Sequence, residues 1–149
     1  MRNPFRLLKY MVKARRPSRV TEMEVVGDDF WLRKNYEALT FFGYIVCRKE
    51  QAERPLDPVV RNHETIHLRQ AQACHDSWLC FYLLYIWYYL RALPLNRRLK
   101  NAAYRLNPFE MEAYEHQTDF SYLANEPTAT NGWRRYARLK PHQRLNRPS

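Results

Sequence analysis

Residues 57–73 read DPVVRNHETIHLRQAQA, and how this stretch folds decides the rest. Asp57 suits a helix N-cap, because its carboxylate can accept from the first free backbone N–H groups. Pro58 suits the first helical turn, where its missing N–H costs nothing. From there to Leu93 there is no glycine or proline, so one long helix, or two nearly continuous ones, is expected to end before Pro94. On such a helix residues four apart share a face. His63 and His67 then aim two imidazoles at one point, and Glu64 projects beside them.

The pattern H-E-x-x-H has a physical reading. Neutral imidazole nitrogen is a good zinc ligand, and two such ligands leave room for a third and a water. Zinc lowers the pKa of that water, and a carboxylate at the neighbouring position can take its proton. The third ligand has to come from elsewhere in the chain. Residues 107–117, NPFEMEAYEHQ, offer Glu110, Glu112, Glu115 and His116. Asn107 and Pro108 again look like a cap and first turn, opening a helix to about Leu123. From the residues alone Glu110 is one candidate among these. Its alternative is the second half of a capping box with Asn107. Glu112 reads as a solvated or salt-bridged residue, and Glu115 and His116 point elsewhere on that helix.

HETIH followed by FEMEAY resembles the gluzincin group of zinc peptidases, in particular small bacterial proteins carrying HExxHxxQ, an aromatic-rich helix and then FExEAY. The resemblance covers roughly residues 40 to 123. It implies a zincin-like fold with Zn2+ held by His63, His67 and Glu110, and Glu64 as general base. Where many such proteins have Asp four residues after the ligand Glu, to orient a zinc-bound histidine, this chain has Tyr114. Tyr114 is therefore expected either to take over that hydrogen bond or to face substrate as the oxyanion stabiliser, with Tyr104 and His116 behind it.

Working outward, VTEMEVV alternates polar and apolar residues, and TFFGYIVCR is β-branched and aromatic. Two or three short strands, paired antiparallel, are expected within residues 20–50. TFFGYIVCR reads either as an ordinary core strand or as an edge strand above the metal, along which a substrate backbone could pair. SWLCFYLLYIWYYL, residues 77–90, is apolar but short of the roughly 20 residues a spanning helix needs. A buried core helix and an interfacial helix are the readings left, and residues 77–93 do not decide between them.

The net charge is +10, but it sits at the ends. Residues 1–19 hold seven Lys or Arg and no acid, and residues 133–149 hold six and no acid. The stretch between has twelve basic residues against fifteen acidic. Phe5, Leu7, Leu8, Met11 and Val12 could form a weakly amphipathic face in the first segment. Such ends suit solvated tails or contact with an anionic membrane. No motif for specific nucleic-acid binding is present. Three cysteines, Cys47, Cys74 and Cys80, with no C-x-x-C pair, suit a reduced chain without disulfides. The basic N-terminus lacks the apolar run of a secretory signal.

The expectation is thus an α+β, minimal zincin-like domain over residues 20–125. A small antiparallel sheet precedes a mainly helical body, with a basic segment at 1–19 and a loop and basic tail at 126–149. The expected activity is zinc-dependent hydrolysis of a peptide or protein amide, in the cytoplasm or at the inner face of the membrane. The alternatives are a non-catalytic zinc-binding domain and a membrane-surface protein working through its basic tails.

Overall fold

The computed structural model describes residues 4–28, 37–126 and 129–146. The fold is α+β. A short helix α1 (Leu8–Val12) precedes strands β1 (Glu24–Gly27), β2 (Ala38–Phe41) and β3 (Tyr44–Cys47). Then follow α2 (Lys49–Ala52), α3 (Pro58–Ala73), α4 (Trp78–Ala92), α5 (Ala102–Arg105), α6 (Pro108–His116), α7 (Tyr122–Asn125), α8 (Trp133–Ala137) and α9 (Pro141–Leu145).

The sheet order is β1-β3-β2. Only the β2–β3 pair is antiparallel; β1 runs parallel to β3, so the sheet is mixed where an antiparallel one was expected. Which strands meet, and in which direction, is set by how distant segments come together and not by alternation within one strand. Ile45, Val46 and Cys47 are all fully buried, as in a central strand covered on both faces. The stretch TFFGYIVCR is not one strand. It turns at Phe42 (φ 49°) and Gly43 (φ 91°), a two-residue hairpin whose positive dihedrals favour glycine. That turn makes β2 an edge strand and packs it on α3.

Asp57 caps α3 as expected, accepting from Val59 N at 2.7 Å. The stretch without glycine or proline beyond it forms two helices, the second of the two expected forms, with the break at residues 74–77. His75 (φ 56°) and Asp76 (φ 52°) are both left-handed, which reverses the chain. Ser77 Oγ then caps α4 by accepting from Cys80 N. Asp76 is held from outside: Ser18 donates to it through its backbone N (2.7 Å) and hydroxyl (2.6 Å). No glycine or proline marks this break; its local mark is Ser77, a residue type suited to an N-cap. Asn107 caps α6, and that helix ends at His116, short of the expected Leu123.

Both flanking segments pack on the central body. Trp78 Nε1 donates to Arg15 O at 2.7 Å, and Gln72 Nε2 donates to Pro17 O. Of the proposed N-terminal apolar face only Leu7 is buried; Phe5, Leu8, Met11 and Val12 are exposed. At the other end Trp133 and Tyr136 are buried. Arg144 is buried too, and donates to Leu106 O and Leu139 O. Within the described residues 129–146 these side chains pack on the body. The core gathers around Phe109, whose ring lies 4.8 Å from that of Phe81 and 4.7 Å from that of Trp133. This aromatic stack ties α4, α6 and α8 together. It sets α6 against α3, and with it Glu110 against His63 and His67.

Candidate metal centre

His63, Glu64 and His67 are all buried on the inner face of α3. Glu110, from the first turn of α6, is buried opposite them. His63 Nε2 and His67 Nε2 lie 3.2 Å apart. Glu110 reaches both, with Oε2 at 3.3 Å from His63 Nε2 and Oε1 at 3.5 Å from His67 Nε2. The cap of α6 is Asn107 Oδ1, which accepts from Phe109 N. Glu110 is thus turned inward, and the capping-box alternative falls away.

The outer nitrogens of the two rings decide what the inner ones can do. Gln70 Nε2 donates to Phe109 O (2.9 Å) and to Glu112 Oε2 (2.8 Å). This turns Gln70 Oε1 toward His67 Nδ1, at 2.8 Å. An amide oxygen only accepts, so His67 Nδ1 carries the proton and Nε2 keeps its lone pair. Gln117 Oε1 meets His63 Nδ1 in the same way at 3.1 Å. Two imidazole lone pairs and a carboxylate thus converge in a buried space, and Glu110 Oε2 has no hydrogen-bond donor. Converging buried acceptors need a cation between them. Two nitrogens and a carboxylate oxygen, within 4.8 Å of one another, form a donor set that suits zinc.

Without a metal, a proton fills that need. Burial by itself pushes the His67 imidazole down, but the Glu110 carboxylate and its hydrogen bond more than reverse this. The pKa rises from 6.5 to about 9. Burial likewise pushes Glu110 up, and the two histidines hold it well below the usual carboxylate range. A zinc ion bound there would have to displace a proton from His67. Its apparent affinity is expected to climb roughly tenfold per pH unit from neutrality and to level off near pH 9. Competition with a chromogenic chelator across that range measures it, and a flat profile would mean that no proton leaves. The metal-free fold has the opposite trend. A raised histidine pKa contributes stability fully below pH 6.5, and that contribution fades as pH rises through about 9.

Glu64 stands beside these three side chains. Its Oε2 accepts from the Thr40 hydroxyl at 2.6 Å, which fixes the carboxylate against β2. Tyr82 in turn fixes β2: its hydroxyl donates to Thr40 O (2.8 Å) and accepts from Phe42 N (3.1 Å). Glu64, His63, His67 and Glu110 line one wall of a pocket of about 390 Å³. Leu39, Phe41, Tyr82, Tyr85, Tyr89 and Tyr104 form much of the rest.

Tyr114 does not take the place of the orienting aspartate. Its ring packs edge-on against His63, with centroids 4.6 Å apart, and its hydroxyl meets that of Tyr104 at 3.1 Å. The two glutamines do the orienting. Tyr104, not Tyr114, lines the pocket. Tyr85 donates to Glu110 Oε1 at 2.7 Å, a partner that no local pattern signalled. His116 stacks flat on Tyr122, centroids 3.7 Å apart, away from the site. Glu115 pairs with Arg135 and Tyr136.

Glu112 is a correction to the sequence reading, because it is fully buried and not solvated. It accepts from Gln70 Nε2, from the Tyr122 hydroxyl (2.6 Å), from Thr130 Oγ1 and from Trp133 N (3.1 Å). Gly132 permits that approach, since a Cβ there would lie 2.8 Å from Glu112 Oε1. Glu112 thereby joins the C-terminal segment to the amide that sets the His67 tautomer. Glu112→Gln turns one acceptor oxygen into a donor facing donors. It is expected to cost about 1–3 kcal/mol of stability. Zinc affinity should fall roughly 10–100-fold through Gln70. Thermal melts and zinc competition read the two effects, and unchanged zinc affinity would uncouple Glu112 from the metal.

Comparison with protein-family models, with curated proteins and with solved structures finds no match.

Proposed function

We propose that the chain is a zinc-dependent metallopeptidase or amide hydrolase of the zincin kind. His63, His67 and Glu110 are the ligands and Glu64 is the general base. The observation that carries this reading is the position of Glu64. It is a carboxylate next to the three ligand side chains but outside their set, held by Thr40 in the wall of a pocket. A purely structural metal site has no use for such a group.

Zinc held there would supply Lewis-acid polarisation of a carbonyl and a lowered pKa for a water. The rest falls to the protein. Glu64 accepts the proton of the attacking water and delivers it to the leaving nitrogen. The Thr40 hydroxyl fixes the carboxylate for that transfer. Tyr104 lines the pocket, and burial pushes its phenol well above the ordinary range, so it stays protonated; to donate to a developing oxyanion its hydroxyl would have to turn from Tyr114 and Glu110. The edge strand β2 suits an extended peptide added alongside it. Tyr82 already occupies that edge at Thr40 O, which limits pairing to the first half of the strand.

Protein purified without chelator or metal-affinity tag is expected to hold about one zinc per chain. Elemental analysis measures this, together with uptake after stripping and add-back. A stripped protein that takes up no zinc would sink the proposal at its first step.

A further inference from the structure

Helix α4 is only half used by the fold. Trp78, Phe81 and Ala92 are buried against the body. On the other side Leu79, Leu83, Ile86, Trp87 and Leu90 are each 52–64% exposed. Their spacing, i, i+4, i+7, i+8 and i+11, places them on one continuous arc of the helix. A stripe of this kind on a protein surface marks a place of contact.

The charge around it says with what. Between Asp76 and Glu110 there is no acidic residue, and there are five basic ones: Arg91, Arg97, Arg98, Lys100 and Arg105. All five are exposed, and none forms an ion pair among the described residues. Arg91 lies over the Trp87 ring, 5.7 Å from its centroid, at the edge of the stripe. We propose that this face of α4, with the cations that follow it, docks on the surface of an anionic lipid bilayer. Leucines and isoleucine enter the boundary between headgroups and acyl chains, tryptophan sits at the headgroup level, and the arginines meet lipid phosphates.

The occupant is a bilayer surface and not a second copy. Joining two such faces would bring together two copies of a segment that carries five cations and no acid to offset them. The helix lies on the bilayer and does not cross it. Its 15 residues span about 22 Å at 1.5 Å per residue, against a hydrocarbon core of roughly 30 Å. Among the described residues no helix is long and apolar enough to cross. The cations expected to act from the basic tails are in part spent inside the fold, as Arg144 is; those beside α4 are exposed. Tyr82 and Tyr89 occupy the arc next to the stripe and line the pocket. A docked protein would therefore open its pocket beside the headgroups. The docking itself does not depend on zinc or on Glu64.

The test is co-sedimentation of the full chain with vesicles of phosphatidylcholine alone or mixed with phosphatidylglycerol, at low and high salt. The wild type is expected to sediment with the anionic vesicles, and less so at high salt. Leu83→Asp/Trp87→Asp and Arg97→Glu/Arg98→Glu should each weaken binding about tenfold or more, at unchanged melting temperature and zinc content. Several results would overturn the proposal. One is a wild type that stays in the supernatant with anionic vesicles at low salt. Another is equal binding by the Leu83→Asp/Trp87→Asp variant. A third is a dimer in sedimentation equilibrium that this variant dissolves, with no vesicle binding, which would assign the face to a second copy.

Discussion

Glu64→Gln is expected to keep its zinc and to lose hydrolytic activity by about 100-fold or more, the usual scale for removing a general base. The side chain keeps its shape and still accepts from Thr40, whose hydroxyl lies 2.6 Å from the present carboxylate. An amide cannot take a proton from water. The three ligand side chains are untouched, so zinc affinity should match the wild type. The measurement pairs zinc competition with cleavage of a quenched fluorescent peptide pool. A variant as active as the wild type would show that the base is another group. A zinc-loaded wild type without hydrolysis of peptides or simple amides would leave the metal site and remove the enzyme.

Glu110→Gln should do the reverse and lower zinc affinity itself, by more than about 100-fold. Losing even an outer hydrogen-bond partner of a ligand costs roughly 10–100-fold, and here the ligand charge goes. The effect has a second signature in the metal-free protein. His67 is held up at about 9 against its burial chiefly by the Glu110 carboxylate. Without that charge, burial and the remaining hydrogen bonds set its titration, and the imidazole pKa should fall, as histidine NMR titration would record. Tyr85 can still donate to the amide oxygen, and Asn107 still caps α6, so the helix should remain in place. Equal zinc affinity in wild type and variant would move the third ligand off α6. Glu112 is committed to four donors of its own, and His116 is stacked on Tyr122.

What could be read from the sequence was local. Asp57-Pro58 and Asn107-Pro108 announce two helix starts, because capping and the first turn need only adjacent residues. His63, Glu64 and His67 share a face once α3 is granted, because four residues make about one turn. Glu110 stood out through its motif, and it lies buried 3.3–3.5 Å from both histidines in a cluster that could hold a metal ion. Gln70 too lay within reach, one turn from the motif on the same helix face.

Tertiary structure alone decided the rest. The chain reversal at His75 and Asp76 carries no glycine or proline, and contacts from Ser18 hold it in place. Parallel pairing of β1 with β3 depends on how distant segments meet, which alternation within one strand does not encode. Thr40 on Glu64, Tyr85 on Glu110 and Gln117 on His63 each join separate elements, 24 to 54 residues apart. The same limit explains Glu112. A glutamate two places from a candidate ligand reads as surface charge until Gly132 lets the chain near Trp133 close over it and supply donors. Burial of a charge is a property of what surrounds it, and that surrounding is assembled only when the chain folds.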